Sequence, residues 1–298
     1  MYPEILPDDP RYHYTAAEIF KHPLDTTHAF VKDNYHIGMH EQEFFEINII
    51  TEGHGCHYIE RHHLPVARGD VFILPPHVRH GYASDRGLGV FHLLLSDRFM
   101  KKNMADLQML PSFYTLFRAE PLMRARGHAP YHLSLNDEHF ERVRHLILAM
   151  LPFHDLLDAG DSIVRESLSM VLITLLCRMY AESTVTDGHP GDQAFMNALS
   201  QIHECYGEKL TVDMLAATAC LSRSAFISKF TAICKTPPSA YLTTIRLEHA
   251  AYMLSHTGYT LCEIAERCGF YDTAHLSRSF HAKTGLTPTQ YRHQNKSR

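Results

Sequence analysis

The stretch from Leu210 to Arg292 constrains the fold most, because it states one plan twice: short helix, tight turn, longer helix. In the first pass Thr211 is placed to cap a short helix, and Asp213 lies in its first turn, where the helix dipole favours negative charge. Leu221-Ser222 makes the turn. Ser222 then caps a helix whose apolar side is Phe226, Phe230 and Ile233, at steps of four and three. In the second pass Thr260-Leu-Cys-Glu263 has the form of a capping box. Gly269 suits the left-handed end of that helix, and Asp272 caps a final helix with Leu276 and Phe280 on its buried side. Between the passes, Pro237-Pro238 stops one helix, and Ser239 to about His256 forms another. The expectation is two helix-turn-helix units joined by a linker helix.

Specific runs within this stretch carry a resemblance. They are Ile245-Arg-Leu-Glu-His-Ala250, Ile264-Ala-Glu-Arg-Cys-Gly-Phe270, His275-Leu-Ser-Arg-Ser-Phe280 and Thr284-Gly-Leu-Thr-Pro-Thr-Gln-Tyr-Arg292. With these residues in this order, the stretch resembles the AraC/XylS family of bacterial transcription regulators. The resemblance implies an activator of transcription with double-stranded promoter DNA as partner, RNA polymerase as a further partner, and a homodimer. The face opposite Phe226 and Phe230 presents Arg223, Ser224, Ile227, Ser228 and Thr231; the second recognition helix presents Thr273, Ala274, Ser277, Arg278 and His281. Such side chains reach base edges in a major groove, and a rigid linker helix holds two of these helices about one DNA turn apart, roughly 34 Å. Arg pairs with guanine or phosphate, Ser and Thr do so more weakly, and Ala and Ile touch a thymine methyl. Family members often have Arg where Ser228 stands and a polar residue where Ile227 stands. Arg246 and Glu248, in the linker helix, read as structural.

Charge is distributed to match. The chain's formal net charge is −5, but from Gln193 onward there are 11 Lys and Arg against 7 Asp and Glu, leaving the acidic excess in the first 192 residues. A mildly basic tail on an acidic front fits a DNA-binding module attached to something else. No apolar run is long enough for a membrane span. The start, Met1-Tyr-Pro-Glu-Ile-Leu-Pro-Asp-Asp9, is unlike a signal peptide, and seven cysteines without a Cys-x-x-Cys pair suit reduced thiols in the cytoplasm.

The first 28 residues or so, proline-bearing and aperiodic, read as an extended arm. Residues 29 to 96 read as short strands: Phe44 to Ile50, Cys56 to Glu60, Val71 to Leu74 and Val90 to Leu95, with a turn at Gly53 and Gly55 and a polar loop at Arg61-His-His63. The spacing of Glu46 from Gly53, and of Gly69 from Pro75 and His80, resembles the cupin jelly roll. Where that family often has His-x-His, this chain has Gly38-Met-His40, and His77 stands where it often has Gly. Helices follow over Asp137 to about Phe153 and Asp161 to about Glu182. The second carries a wide stripe of Ile163, Val164, Leu168, Val171, Leu172, Leu175, Leu176 and Met179, read either as packing against the barrel or as a dimer seam.

The expected fold is therefore α+β. Residues 1–183 form a cupin-type jelly-roll barrel with flanking helices for effector binding and dimerisation. Residues 184–192 form a turn-rich linker, and 193–298 an all-α double helix-turn-helix domain. Eighteen of the 24 histidines lie in the front domain. His36, His40, Glu46, Tyr58, His80, Tyr82 and His92 are the candidate lining of a pocket for a small effector, a carbohydrate by resemblance; tyrosine faces suit the apolar C–H surface of a sugar. His40, Glu46 and His80 also occupy positions resembling metal ligands of cupin enzymes, so a metalloenzyme fused to a DNA module is one alternative, and a regulator sensing a non-sugar metabolite is the other. Regulators with this front domain bind their effector without metal, so no cofactor and no catalytic residue are expected.

Overall fold

A computed structural model describes residues 3–22, 25–85, 87–110, 112–125, 132–153, 159–182 and 190–295. The chain divides into two units, Met1–His189 and Pro190–Arg298.

The first unit is a sandwich of two five-stranded sheets. One has the order β1 (Asp8–Tyr14), β3 (Ile37–Gln42), β8 (His80–Ala83), β5 (His54–Ile59), β6 (His62–Ala67). The other runs β10 (Leu133–Ser134), β7 (Asp70–Leu74), β4 (Phe45–Glu52), β9 (Gly89–Leu95), β2 (Thr27–Lys32). The strands expected between 29 and 96 are present, and two readings are corrected. Residues 1–28 are not a plain arm: β1 pairs in parallel with β3, and a short helix α1 (Ala16–Ile19) precedes β2. A parallel partner joined through distant residues leaves no local sequence signal. His62-His63 lie not in a loop but in β6, because Glu60 adopts a positive φ of 53° and turns the chain back after β5.

The parallel strand also accounts for Gly38, where the cupin pattern has histidine. A Cβ on Gly38 would lie 2.6 Å from the Asp9 backbone nitrogen, closer than any side chain tolerates. Leu6, Met39, Cys56, Tyr58 and Ala83 form a buried cluster on the outer side of this sheet.

On the outer face of the second sheet, Ile47, Ile49, Val71, Ile73, Phe91 and Leu93 are buried. They pack against α2 (Asp97–Leu107); a π-helical turn at Thr115–Ala119, which leads into α3 (Glu120–Ala125); α4 (Asp137–Met150); and α5 (Ala159–Glu182). Arg165, fully buried, ties α5 to the sheet by donating to Asp25 Oδ1 (2.7 Å), Thr27 Oγ1 (3.2 Å) and the Phe153 carbonyl (2.8 Å). Turning this charged face inward rotates the apolar stripe of α5. Leu172, Leu176 and Met179 are buried, whereas Ile163, Val164 and Val171 stay exposed, as does Leu148 on α4.

The second unit begins with α6 (Pro190–Glu204), which starts inside the expected linker; residues 184–189 of that stretch lie outside the described residues. It continues with α7 (Val212–Thr218), α8 (Arg223–Cys234), α9 (Pro238–His256), α10 (Leu261–Arg267), α11 (Thr273–Thr284) and α12 (Pro288–Asn295). Pro238 opens α9 at its first turn, where a missing N–H costs nothing.

Candidate functional site: a recognition-helix pair and an interior cavity

The two helix-turn-helix units are built by the caps read from the sequence. Thr211 Oγ1 accepts from Met214 N (3.2 Å), and Ser222 Oγ from Ala225 N (3.3 Å). Thr260 and Glu263 form the reciprocal box, at 2.7 Å and 3.2 Å, and Asp272 Oδ1 accepts from His275 N at 2.6 Å. Each carboxylate stands at a helix N-terminus, where unpaired N–H groups favour it. Phe226 and Phe230 of α8 and Leu276 and Phe280 of α11 are fully buried.

The opposite faces hold the expected contact residues. On α8, Arg223, Ser224 and Ser228 are exposed, with Ile227 and Thr231 half-buried; on α11, Ala274, Arg278 and His281 are exposed, with Thr273 and Ser277 half-buried. Arg246 is structural, as read. Its guanidinium donates to the carbonyls of Tyr206 and Glu208, both at 2.8 Å, fixing α9 against the loop after α6.

In the first unit, a cavity of about 750 Å³ opens between β1, β2, β3, β4 and β9. Of the residues expected there, His36, His40, Glu46 and His92 line it. Tyr58, Tyr82 and His80 do not, and they are corrections. Tyr58 belongs to the outer cluster and its hydroxyl donates to the Pro3 carbonyl. Tyr82 is buried deeper, stacked on His57 at 4.1 Å and accepting from Asn48 Nδ2 at 3.2 Å. His80 is buried in contact with His40, their ring centroids 4.3 Å apart. Parity explains Tyr58: the residue facing the interior from β5 is its neighbour His57.

The polar floor of the cavity centres on Glu46. Its Oε1 accepts from His92 Nδ1 at 2.7 Å, and its Oε2 lies 3.5 Å from His80 Nε2. Burial opposes its ionisation, but the hydrogen bonds from His80 and His92 outweigh burial and hold the carboxyl well below its usual range. Burial, reinforced by His80, pushes His40 down to about 4, so its ring is neutral near pH 7. His40 Nδ1 lies 2.9 Å from the Gly38 carbonyl and must carry the proton, which leaves Nε2 as an acceptor. Gln42 is 1% exposed, and among the described residues neither its amide nitrogen nor its amide oxygen meets a hydrogen-bond partner; the same holds for His92 Nε2.

Asp9, Tyr14, His28, Phe30, Tyr35, Gln42 and Phe44 also line the cavity and were not anticipated. A signal existed for one of them. Residues 40 and 42 lie two apart in β3, so His40 predicts Gln42 by the strand period of two. Among the described residues no group of three or more His, Cys, Asp or Glu is arranged to hold a metal ion, and the Glu46 carboxylate lies against two imidazoles.

A sandwich with a polar cavity, followed by two capped helix-turn-helix units, defines a ligand-binding DNA-binding regulator. Residues 26–176 match the family described as the AraC-like ligand binding domain, and residues 215–294 match a helix-turn-helix domain family. The chain belongs to the AraC family of transcriptional regulators. Among curated relatives, the HTH-type transcriptional activator RhaS of Salmonella schwarzengrund is 28% identical over 255 residues, covering 85% of this chain and 86% of the relative. Among solved structures, the DNA-binding domain of AdpA in complex with a target DNA is 29% identical and covers 35% of this chain and 94% of that one, with a TM-score of 0.34. ToxT from Vibrio cholerae O395 is 10% identical and covers 91% of this chain and 98% of that one, with a TM-score of 0.33. No helix among the described residues is long and apolar enough to cross a membrane.

Proposed function

We propose that this regulator is an activator whose grip on promoter DNA answers to a carbohydrate bound in the sandwich cavity. Gln42 carries the reading. Neither atom of its amide meets a partner among the described residues, and it lines the cavity, so it is placed to donate to and accept from a ligand; a buried amide left unpaired costs on the order of 1–3 kcal/mol. The surrounding chemistry suits a neutral, hydroxyl-rich molecule. His40 Nε2 and the Glu46 carboxylate accept hydrogen bonds, Gln42 both donates and accepts, and the rings of Tyr14, Phe30, Tyr35 and Phe44 on the lining give C–H groups aromatic surface. An anion would meet the carboxylates of Asp9 and Glu46. The role is binding, and no residue is given a catalytic part. The relatives' printed name supports activation, and RNA polymerase is the partner activation calls for. The exposed apolar residues of α4 and α5 support a homodimer.

The test is thermal unfolding of the full chain with a panel of neutral sugars, sugar phosphates and carboxylic acids. A neutral sugar should raise the midpoint, since a ligand at a hundred times its Kd adds about 2.7 kcal/mol. Gln42→Leu should abolish the shift while leaving DNA binding intact. Stabilisation by anions alone would overturn the carbohydrate assignment.

A further inference from the structure

The helices α8 and α11 line up residue for residue. Phe226 and Phe230 are buried as Leu276 and Phe280 are, and each position on the opposite face has a counterpart: Arg223 with Thr273, Ser224 with Ala274, Ile227 with Ser277, Ser228 with Arg278, Thr231 with His281. The chemistry at these counterparts differs. Arg223, the cation on the α8 face, donates to Asp213 Oδ2 at 2.5 Å, and both side chains stand in solvent. Its charge is therefore offset by a carboxylate that a DNA phosphate would repel. The rest of that face is Ile227 among three short hydroxyls. On α11, Arg278 is exposed and has no hydrogen-bond or ion-pair partner among the described residues, and His281 lies one turn further on.

We propose that the two recognition helices read their half-sites by different chemistry: α8 by apolar contact of Ile227 with thymine methyl groups, α11 by the charge of Arg278. The inference rests on these faces being the DNA contacts. The C5-methyl of thymine is the apolar group that a base pair offers in the major groove, so a half-buried isoleucine among hydroxyls selects thymine there. An unpaired guanidinium selects a guanine edge or a phosphate.

The experiment starts from duplexes enriched by the full-length protein out of a randomised pool. Each thymine of the enriched sequence is then replaced in turn by uracil, which lacks only that methyl. The alteration lies in the DNA, so the folding of the protein is untouched. In one half-site, at least one replacement should weaken binding about fourfold, the effect of withdrawing one buried methyl. In Ile227→Ala that sensitivity should vanish, and in Ile227→Val part of it should remain. Arg278→Ala should leave it unchanged and lose preference in the other half-site. Indifference to uracil at every position would overturn the inference, as would an Ile227→Ala protein still as sensitive as the wild type. If no sequence is enriched at all, the DNA-contact assignment of both helices fails first, which distinguishes the two failures.

Discussion

Arg278 is exposed on α11, clear of the buried Leu276 and Phe280, and its replacement should change stability by no more than about ±0.5 kcal/mol. Its DNA contact should be worth more. If it pairs with a guanine, Arg278→Ala loses about 1–3 kcal/mol on the selected site and relaxes preference at one base pair. If it meets a phosphate, binding weakens evenly across sequences and the salt slope falls by about one. Affinities over single-base variants at several salt concentrations read the difference, and unchanged affinity everywhere would remove Arg278 from the DNA face. A second expectation concerns two imidazoles, His249, which is buried, and His203, which is half-buried. Burial pushes His203 down to about 3 and His249, stacked on Tyr206 at 3.8 Å, down to about 4. In the unfolded chain both rings take up a proton as pH falls through about 6.5, while the folded rings stay neutral. Stability is therefore full above that pH and declines between about 6.5 and 4, by up to about 1.4 kcal/mol per pH unit for each ring. Thermal unfolding of the full chain from pH 7.5 to 5 should show this fall, and His249→Gln should make it shallower. A midpoint flat across that range would contradict the assignment.

The turn between α10 and α11 depends on Gly269, at a φ of 70°. A Cβ there would lie 2.9 Å from the carbonyl oxygens of Tyr206 and Gly207, and 2.8 Å from Arg246 Nη2. Gly269→Ala should therefore strain the second unit by more than the roughly 1 kcal/mol of a simple conformational penalty, read as a lower unfolding midpoint and weaker DNA binding. On α5, Ile163 is 66% exposed, and Val164 beside it in sequence and Leu148 on α4 are exposed as well. If this face joins two copies, Ile163→Glu should yield monomers in sedimentation while leaving the fold intact; an unchanged mass would place the dimer contact elsewhere. The helix-turn-helix elements were legible in the sequence because their signals are local. Thr211, Ser222, Thr260 and Asp272 sit three residues from the N–H groups they cap, and Phe226 and Phe230 are one turn apart. Most of the strands from 29 to 96 were legible for the same reason. The cavity was half legible: His36, His40, Glu46 and His92 were found, but Asp9 and Tyr14 reach it through a parallel strand pairing across about 30 residues of sequence. Nor does an apolar stripe announce that a buried Arg165 will turn α5 about its axis.

The two units divide the chain at His189 and Pro190, and each has its own core. The cavity belongs wholly to the first, and both recognition helices to the second. Control then requires linkage. A ligand that binds one conformation of the full chain better than another shifts DNA affinity by that difference and by no more, typically 5- to 150-fold. His40→Ala and Gln42→Leu should blunt this shift while leaving the ligand-free affinity near the wild-type value. The direct measurement is the affinity of the full chain for its enriched duplex, with and without the sugar that raises its unfolding midpoint, beside the same titration of residues 190–298. The account predicts that the sugar changes the affinity of the full chain and that the fragment prefers the same sequence with no response to sugar. A sugar response retained by the fragment, or sequence preference lost by a folded fragment, would contradict it.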